Sequence, residues 1–88
     1  MTRAVITVVG KDSVGIIAKI CTYLADTQVN ILDISQTIVQ DFFNMVMVVD
    51  VANATKSLAT VSSELGVIGE NTGVQVTVQL EDVFNKIK

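Results

Sequence analysis

The chain contains no histidine, no proline and no tryptophan, and it has one cysteine among its 88 residues. Because an imidazole base is missing, nucleophilic sites of the Ser–His and Cys–His type are excluded. Cys21 alone can form neither a disulfide within the chain nor a two-cysteine metal site. The Walker A and GxGxxG phosphate-binding motifs are also absent. We therefore expect no catalytic residue, no metal and no cofactor.

Charged and aromatic residues are scarce. The formal net charge is −3, and the aromatic residues are three phenylalanines and one tyrosine. An acidic chain attracts nucleic-acid phosphates poorly, and few rings are available to stack on bases. The longest apolar runs are about five residues, and no signal-peptide pattern occurs. These absences predict a cytoplasmic protein without nucleic-acid or membrane partners.

Four strands and three helices are predicted from the spacing of the apolar residues. The strands cover Ala4–Val9, Ile31–Val39, Phe42–Val51 and Val74–Leu80. The helices cover about 13–26, Lys56–Leu65 and Glu81–Lys88, with polar connections at Gln40–Asp41 and Gly69–Gly73. This order is that of the α+β ferredoxin-like βαββαβ fold, a four-stranded antiparallel sheet with two helices on one face and a short C-terminal helix.

Two features of the predicted helices follow from their residues. Asp12 or Ser13 can cap the first helix, whose core-facing residues at helical spacing are Ile17, Ile20, Cys21 and Leu24. Cys21 is accordingly interpreted as a small buried hydrophobic residue. Gly66 is expected to end the second helix.

The central strands of the sheet are apolar on both faces. Right-handed crossovers place the first and third strands at the centre, where we expect them to run parallel. One face carries Ile6, Val8, Phe43, Met45 and Met47, and the other carries Val5, Val9, Phe42, Val46 and Val48. We expect no helix of the chain to pack on the second face. An apolar sheet face that is exposed in this way is typically buried by another subunit.

These surfaces predict a homodimer or a higher homo-oligomer. Two second strands, which lie at a sheet edge, can pair into one continuous sheet, or two open faces can stack. Gln36 interrupts the apolar side of the second strand. It is either a device against edge aggregation or a polar group aimed at a partner strand.

The segment Gly10–Gly15 joins the first strand to the first helix. A helix N-terminus carries free N–H groups and a partial positive charge, so this loop can hold a small anionic group. Gly15 is expected inside the first helical turn, where glycine costs about 1 kcal/mol relative to alanine. Close approach of a ligand and close packing of the helix explain it equally well.

At these residues the sequence resembles a known family. V-G-K-D-S-V-G-I-I-A-K-I, followed by V-N-I-L-D-I-S-Q, is similar to ACT domains. The similarity extends over residues 1–88 as one ACT-like domain, and it is greatest to stand-alone bacterial ACT proteins and to the halves of glycine-cleavage-type repressors. It implies a non-catalytic regulatory module that binds a small ligand, an amino acid, at a homo-oligomer interface and acts on a regulated protein in trans.

The resemblance also implies which residues contact the ligand. They are Gly10, Lys11, Asp12, Ser13, Val14 and Gly15 of the loop, with Asn30 and Ile31 contributed across the interface. We expect the ligand carboxylate at the N–H groups of residues 13–15 and its ammonium group at Asp12 and Asn30. The alternative is a structural oligomerisation or protein-interaction module without a ligand.

Overall fold

The protein is built on one sheet of four strands. The computed structural model describes residues 1–11 and 15–87, with Val39 and Ile87 described in their backbone only. In chain order the elements are β1 (Arg3–Lys11), α1 (Ile16–Asp26), β2 (Asn30–Val39), β3 (Phe42–Asp50), α2 (Leu58–Thr72), β4 (Val74–Leu80) and α3 (Glu81–Ile87). This order confirms the predicted ferredoxin-like βαββαβ fold and its short C-terminal helix.

The strand order in the sheet is β2-β3-β1-β4, and every neighbouring pair is antiparallel. β1 and β3 are central, as predicted, but the expectation that they run parallel was wrong. The crossover through α1 brings β2 back in the direction of β1, and the tight turn at Gln40 and Asp41 then reverses the chain. β3 lies between β1 and β2 and must oppose both.

The core lies between the two long helices and one face of the sheet. Successive strand residues point to opposite faces, and this face buries Ala4, Ile6, Val8, Phe43, Met45, Met47 and Val49. The helices contribute Ile16, Ile20, Leu24, Val61 and Leu65. The predicted division of the central strands into two faces is therefore confirmed.

α1 begins at Ile16, and the proposed caps Asp12 and Ser13 lie outside the described residues. The buried residues of the helix are Ile16, Ile20 and Leu24. Ile17 and Cys21 are only half-buried, so the predicted core stripe was rotated by part of a turn. Cys21 is not the fully buried residue that its spacing suggested. The missed residue is Ile16, at the very start of the helix.

α2 is longer than predicted. It begins after Ser57, whose side chain accepts a hydrogen bond from the N–H of Thr60 at 3.2 Å. The predicted end at Gly66 was wrong, as was the predicted loop over Gly69–Gly73, because the helix continues to Thr72. It ends at Gly73, which has a φ of 81°, the left-handed conformation that favours glycine.

Gly69 explains why a glycine lies within α2. A Cβ built on this residue would be 2.7 Å from the carbonyl oxygen of Val74 and 2.9 Å from Cγ2 of Val76. The helix backbone therefore approaches β4 more closely than any side chain at residue 69 would allow. The same construction at Gly66 meets no atom within 4 Å.

A polar contact joins the two long helices at the surface. The hydroxyl of Tyr23 on α1 donates a hydrogen bond of 2.6 Å to Oε1 of Glu64 on α2, and Nζ of Lys56 lies 2.8 Å from the same oxygen. Partial burial and the neighbouring carboxylate raise the pKa of Tyr23 well above its ordinary value. Both hydrogen bonds lower the pKa of Glu64, and the one from Lys56 has the larger effect.

The second face of the sheet is partly covered by α3. This helix contacts β1 and β4, and Val5, which points to this face, is only 4% exposed. An ion pair of 3.8 Å between Arg3 and Glu81 joins the start of β1 to the start of α3. The expectation that nothing in the chain covers this face was therefore wrong at its α3 end.

None of the helices within the described part of the chain is long and apolar enough to cross a membrane.

Candidate functional site

The loop end of β1 contains two of the predicted ligand-contacting residues. Lys11 is the exposed last residue of β1 and lies opposite Phe42. A Cβ on Gly10 would be 2.8 Å from Cα of Val74, so the glycine at position 10 is explained by the close approach of β4. Asp12, Ser13 and Val14, the middle of the predicted loop, lie outside the described residues.

Gly15 is the N-cap of α1. Its φ is 83°, and as a glycine it provides no side-chain acceptor for the N–H groups of the first helical turn. The prediction that Gly15 lies inside that turn was wrong: its left-handed conformation, which disfavours residues with a Cβ, explains the glycine there. A Cβ at this position would meet no atom within 4 Å.

Asn30 and Ile31 lie at the other end of the sheet. Asn30 is the exposed first residue of β2 and is opposite Asp50, and the half-buried Ile31 is opposite Val49. Lys11 is opposite Phe42, eight residues from Asp50 along β3. At about 3.3 Å per strand residue, this corresponds to roughly 26 Å. A single chain therefore does not bring Asn30 to the loop.

Asp50 organises the backbone beside Asn30, and the sequence analysis did not single it out. Its Oδ1 accepts hydrogen bonds from the N–H of Ala52 at 3.0 Å and from the N–H of Thr2 at 3.1 Å. Both bonds lower the pKa of Asp50, and the one from Ala52 has the larger effect. An aspartate at the end of a strand, two residues before a turn, is a recognisable signal for such bonding.

Two of the shallow concavities on the described surface lie beside the helices. One lies between α1 and Ile68 and is bordered by Ala18, Lys19, Thr22, Tyr23 and Asp26. The other lies at the chain start beside α3 and is bordered by Met1, Thr2, Arg3, Leu80, Glu81 and Asp82. Among residues 1–11 and 15–87, no three histidine, cysteine or carboxylate side chains are placed to hold a metal ion.

The edge strand β2 exposes apolar side chains. Leu32, Ile34 and Ile38 are 38%, 44% and 55% exposed. Ile34 lies opposite Met47 and Ile38 opposite Phe43, so both belong to the sheet face that carries the helices. The long helices do not extend over this edge. The pairing with β3 is irregular between Ile31 and Asp33 and regular from Asp33 to Val39.

A second exposed apolar surface lies on the opposite face, beyond α3. It consists of Val9, Phe42 and Val46, which are 45%, 58% and 36% exposed. The molecule therefore has two surfaces that a second subunit could bury.

Comparison with known proteins identifies the family of the chain. The model of the ACT domain family matches residues 2–79. The chain belongs to the ACT domain family. ACT domains are regulatory ligand-binding modules.

Individual relatives are similar over nearly their full length. A UPF0237 protein of Bifidobacterium longum is 51% identical over 87 residues, which are 99% of this chain and 97% of the relative. The structure of an ACT domain protein from Streptococcus pneumoniae is similar with a TM-score of 0.81 and 34% identity, covering 94% of this chain and 93% of that one.

A putative glycine cleavage system transcriptional repressor shares the ACT fold with a TM-score of 0.75 and 21% identity. The match covers 90% of this chain and 45% of the repressor. This agrees with the predicted resemblance to one half of such a repressor.

Proposed function

We propose that this ACT domain is a non-catalytic regulatory module that binds a free amino acid between two copies of the chain, with residues 1–88 forming one ACT-like domain. The observation that carries the proposal is the N-terminus of α1, where the N-cap Gly15 supplies no capping side chain. Backbone N–H groups and the helix dipole favour a carboxylate at such a position.

The ligand carboxylate lies at the first N–H groups of α1, near Gly15 and Ile16. Its ammonium group needs acceptors, which are the carboxylate of Asp12 and the amide oxygen of Asn30. Because Asn30 lies about 26 Å from the loop within one chain, it is contributed by the second copy. Lys11 and Ile31 border the same site from the two chains.

Pairing of two β2 edges moves Asn30 of the second copy to the loop end of the sheet, roughly 14 Å from β1 across β2 and β3. In an antiparallel pair, the first residues of one strand lie beside the last residues of the other. The start of β2 in one copy therefore lies near the end of β2 in the other, which is the end of the sheet that carries Gly10 and Lys11. The site is complete only in the oligomer.

Affinity is expected to be modest. The single arginine, Arg3, is opposite Asp50 at the far end of the sheet, so no guanidinium from the same chain clamps the carboxylate. A dissociation constant between micromolar and millimolar, or about −8 to −4 kcal/mol, follows. The occupied module would act on a regulated protein in trans.

Two observations favour a second candidate, a structural oligomerisation or protein-interaction module without a ligand. The glycine at position 10 is explained by contact with Val74, and both β2 and the second face of the sheet expose apolar side chains. In this alternative the exposed apolar surfaces of β2 and of the second face are the functional parts of the molecule.

Binding is tested by a thermal-shift screen with each of the twenty amino acids, because a ligand that binds only the folded state stabilises it by mass action. Isothermal titration calorimetry then compares the wild type with Asn30→Ala and Gly15→Asn. Asparagine tolerates the left-handed conformation of Gly15, whereas valine, β-branched, would strain it. Asn71→Ala, an exposed helical site, and Gly73→Asn, with a φ of 81° on the β4 side, are the matched controls.

The proposal expects at least one amino acid to raise the melting temperature. Asn30→Ala and Gly15→Asn should weaken its binding at least about tenfold, or ~1.4 kcal/mol, while the two control variants bind as the wild type does. No response to any amino acid would favour the module without a ligand. Equal binding by all four variants would place the site elsewhere on the molecule.

A further inference from the structure

The sheet face opposite the long helices carries few charges. Its exposed part, the open face, spans the four strands from the row of Thr7 to the row of Lys11. Hydroxyl, amide and apolar side chains make up this surface, and Lys11 is the one charged residue among those that the structure describes there. A sheet face that stays in water ordinarily carries polar and charged residues, whereas the cores of protein interfaces are depleted of charge. The open face therefore has the composition of an interface.

The polar groups of the open face can be satisfied without water. The hydroxyls of Thr7 and Thr77 hydrogen-bond to each other across β1 and β4. Asn44 and Gln75 carry amides, which have both donors and an acceptor and can pair with the amides of a facing sheet. The apolar side chains between these groups gain from burial. A second copy of the same face is thus a chemically suitable partner.

We propose that the open face packs against the open face of another copy, with the two sheets in opposite directions, so that the Lys11 end of one face lies over the Thr7 end of the other. The contact buries both faces at a sheet separation of about 10 Å. The same patch of both copies forms it, as in other two-fold assemblies. This contact goes beyond the proposed function, because it leaves the β2 edge free for the pairing that completes the ligand site.

α3 determines the relative direction of the two sheets. It contacts β1 and β4 at the end of the sheet that contains the buried Val5, away from Lys11. A helix is about 10 Å in diameter, as thick as the gap between stacked sheets, so a second sheet cannot extend over this end. Two sheets in the same direction would bring the two α3 helices together and hold the faces apart. In opposite directions, each α3 lies beyond the loop end of the other sheet, beside Lys11 and Phe42.

The charges of the two ends are complementary in this arrangement. α3 begins with Glu81 and Asp82, and Glu81 already lies 3.8 Å from Arg3. Asp82 and Lys11 are exposed, and neither forms an ion pair with the residues that the structure describes. Asp82 follows the end of β4 that lies beside Ala4, which is seven residues or roughly 23 Å from Lys11 along β1. Each Lys11 can therefore meet an Asp82 only in another copy.

The size of the open face indicates how many chains form the assembly. Four strands at ~4.8 Å and five residues at ~3.4 Å cover roughly 320 Å² on each copy. Two facing copies bury roughly 640 Å², which is below the ~1,200 Å² of a stable interface. Two copies paired through β2 present two open faces side by side and bury about 1,300 Å² against a second such pair. The expected assembly is a tetramer in equilibrium with dimers.

Sedimentation velocity of the full chain without ligand, from low to high micromolar concentration, tests the contact. The wild type should shift from dimer to tetramer as the concentration rises. Val46→Glu places a carboxylate in the open face, and because burial of an unpaired charge is costly, the dissociation constant of the tetramer should rise at least about tenfold. Val67→Glu introduces the same carboxylate at an exposed position of α2 and should assemble as the wild type does. Circular dichroism establishes that both variants are folded.

A charge exchange tests the direction of the two sheets. Lys11→Glu and Asp82→Lys should each weaken the tetramer, because each leaves like charges at the contact. The double variant Lys11→Glu/Asp82→Lys restores opposite charges between copies and should recover the dissociation constant of the wild type. Lys11→Glu/Asp26→Lys has the same net charge, with the new lysine at an exposed position of α1, and should not recover it.

The outcomes separate this contact from the proposed function. A wild type that remains a dimer at every concentration, with Val46→Glu equally dimeric, would refute the stacked faces and retain the pairing through β2. A dimer that Val46→Glu converts to monomers would retain the stacked faces and refute that pairing. A tetramer of unchanged affinity in Val46→Glu would place the contact elsewhere. Equal recovery with Asp82→Lys and with Asp26→Lys would refute the opposite direction of the two sheets.

Discussion

Two glycines of α2 provide a matched test of how closely this helix packs on β4. Replacing either residue by alanine in a helix interior contributes about 1 kcal/mol of helix propensity. At Gly66 the new methyl group meets no atom within 4 Å, so Gly66→Ala should stabilise the protein by roughly that amount. At Gly69 the methyl group would lie 2.7 Å from the carbonyl oxygen of Val74.

The contact at Gly69 involves backbone and cannot be relieved by a side-chain rotation. Overpacking of this kind costs about 1–3 kcal/mol. After subtraction of the helix-propensity gain, Gly69→Ala should lower the free energy of unfolding by up to about 2 kcal/mol. The free energies of unfolding of the two variants should therefore differ by about 1–3 kcal/mol. The value for Gly66→Ala should lie above that of the wild type, and the value for Gly69→Ala should not.

Urea denaturation at one fixed protein concentration measures this difference, since the stability of an oligomer depends on concentration. The m-value should be unchanged, and the melting temperatures should differ by about 4–8 °C per kcal/mol for a chain of this size. If Gly69→Ala is stabilised as much as Gly66→Ala, α2 does not rest on β4 as described, and the explanation of Gly69 fails.

Two further predictions concern the helices. Tyr23 is the only tyrosine, so absorbance near 295 nm reports its ionisation directly. Because its pKa is raised in the folded state, this absorbance should rise only above the ordinary tyrosine pKa of about 10. In Glu64→Gln or in denaturant, the rise should occur at lower pH than in the folded wild type. The contribution of Tyr23 to stability is thus present below that pKa and lost as pH rises through the raised one, and a normal titration would show that the bond to Glu64 does not form. Leu24→Ala removes a fully buried side chain and should lower the free energy of unfolding, measured by urea denaturation, by about 2–5 kcal/mol. Val67→Ala, at an exposed position, should change it by less than about 0.5 kcal/mol. Similar losses in both variants would argue against the assignment of Leu24 to the core.

Much of the fold was predictable because local patterns encode it. Alternation on β1, β3 and β4 identifies the two faces of the sheet, and the residues predicted to share a face with Ile6 and Met45 are buried together. The element order identifies the ferredoxin-like topology, and the loop and strand motifs identify the family. Each of these signals requires only the period of a strand or a helix and the residues between them.

The candidate site was less predictable. The sequence analysis placed Asn30 and Ile31 across a subunit interface from the loop, a prediction that stays untested; within one chain the register of the sheet places Asn30 roughly 26 Å from Lys11. Sequence proximity to a helix or a strand does not say at which end of a sheet a residue lies. That depends on the direction of each strand and on the register of its pairing, which belong to the folded sheet.

The sequence by itself determined the apolar faces, the order of elements and the absence of histidine chemistry, since these depend on residue type and short-range spacing. Tertiary structure decided that α2 continues through Gly66 and Gly69 to Thr72, because contact with β4 favours a helix there and requires the glycine. It also decided that α3 packs against β1 and β4, that Val5 is buried and that β2 lies at the edge of the sheet. These outcomes depend on which distant segments meet, and local propensity is too small to specify that alone.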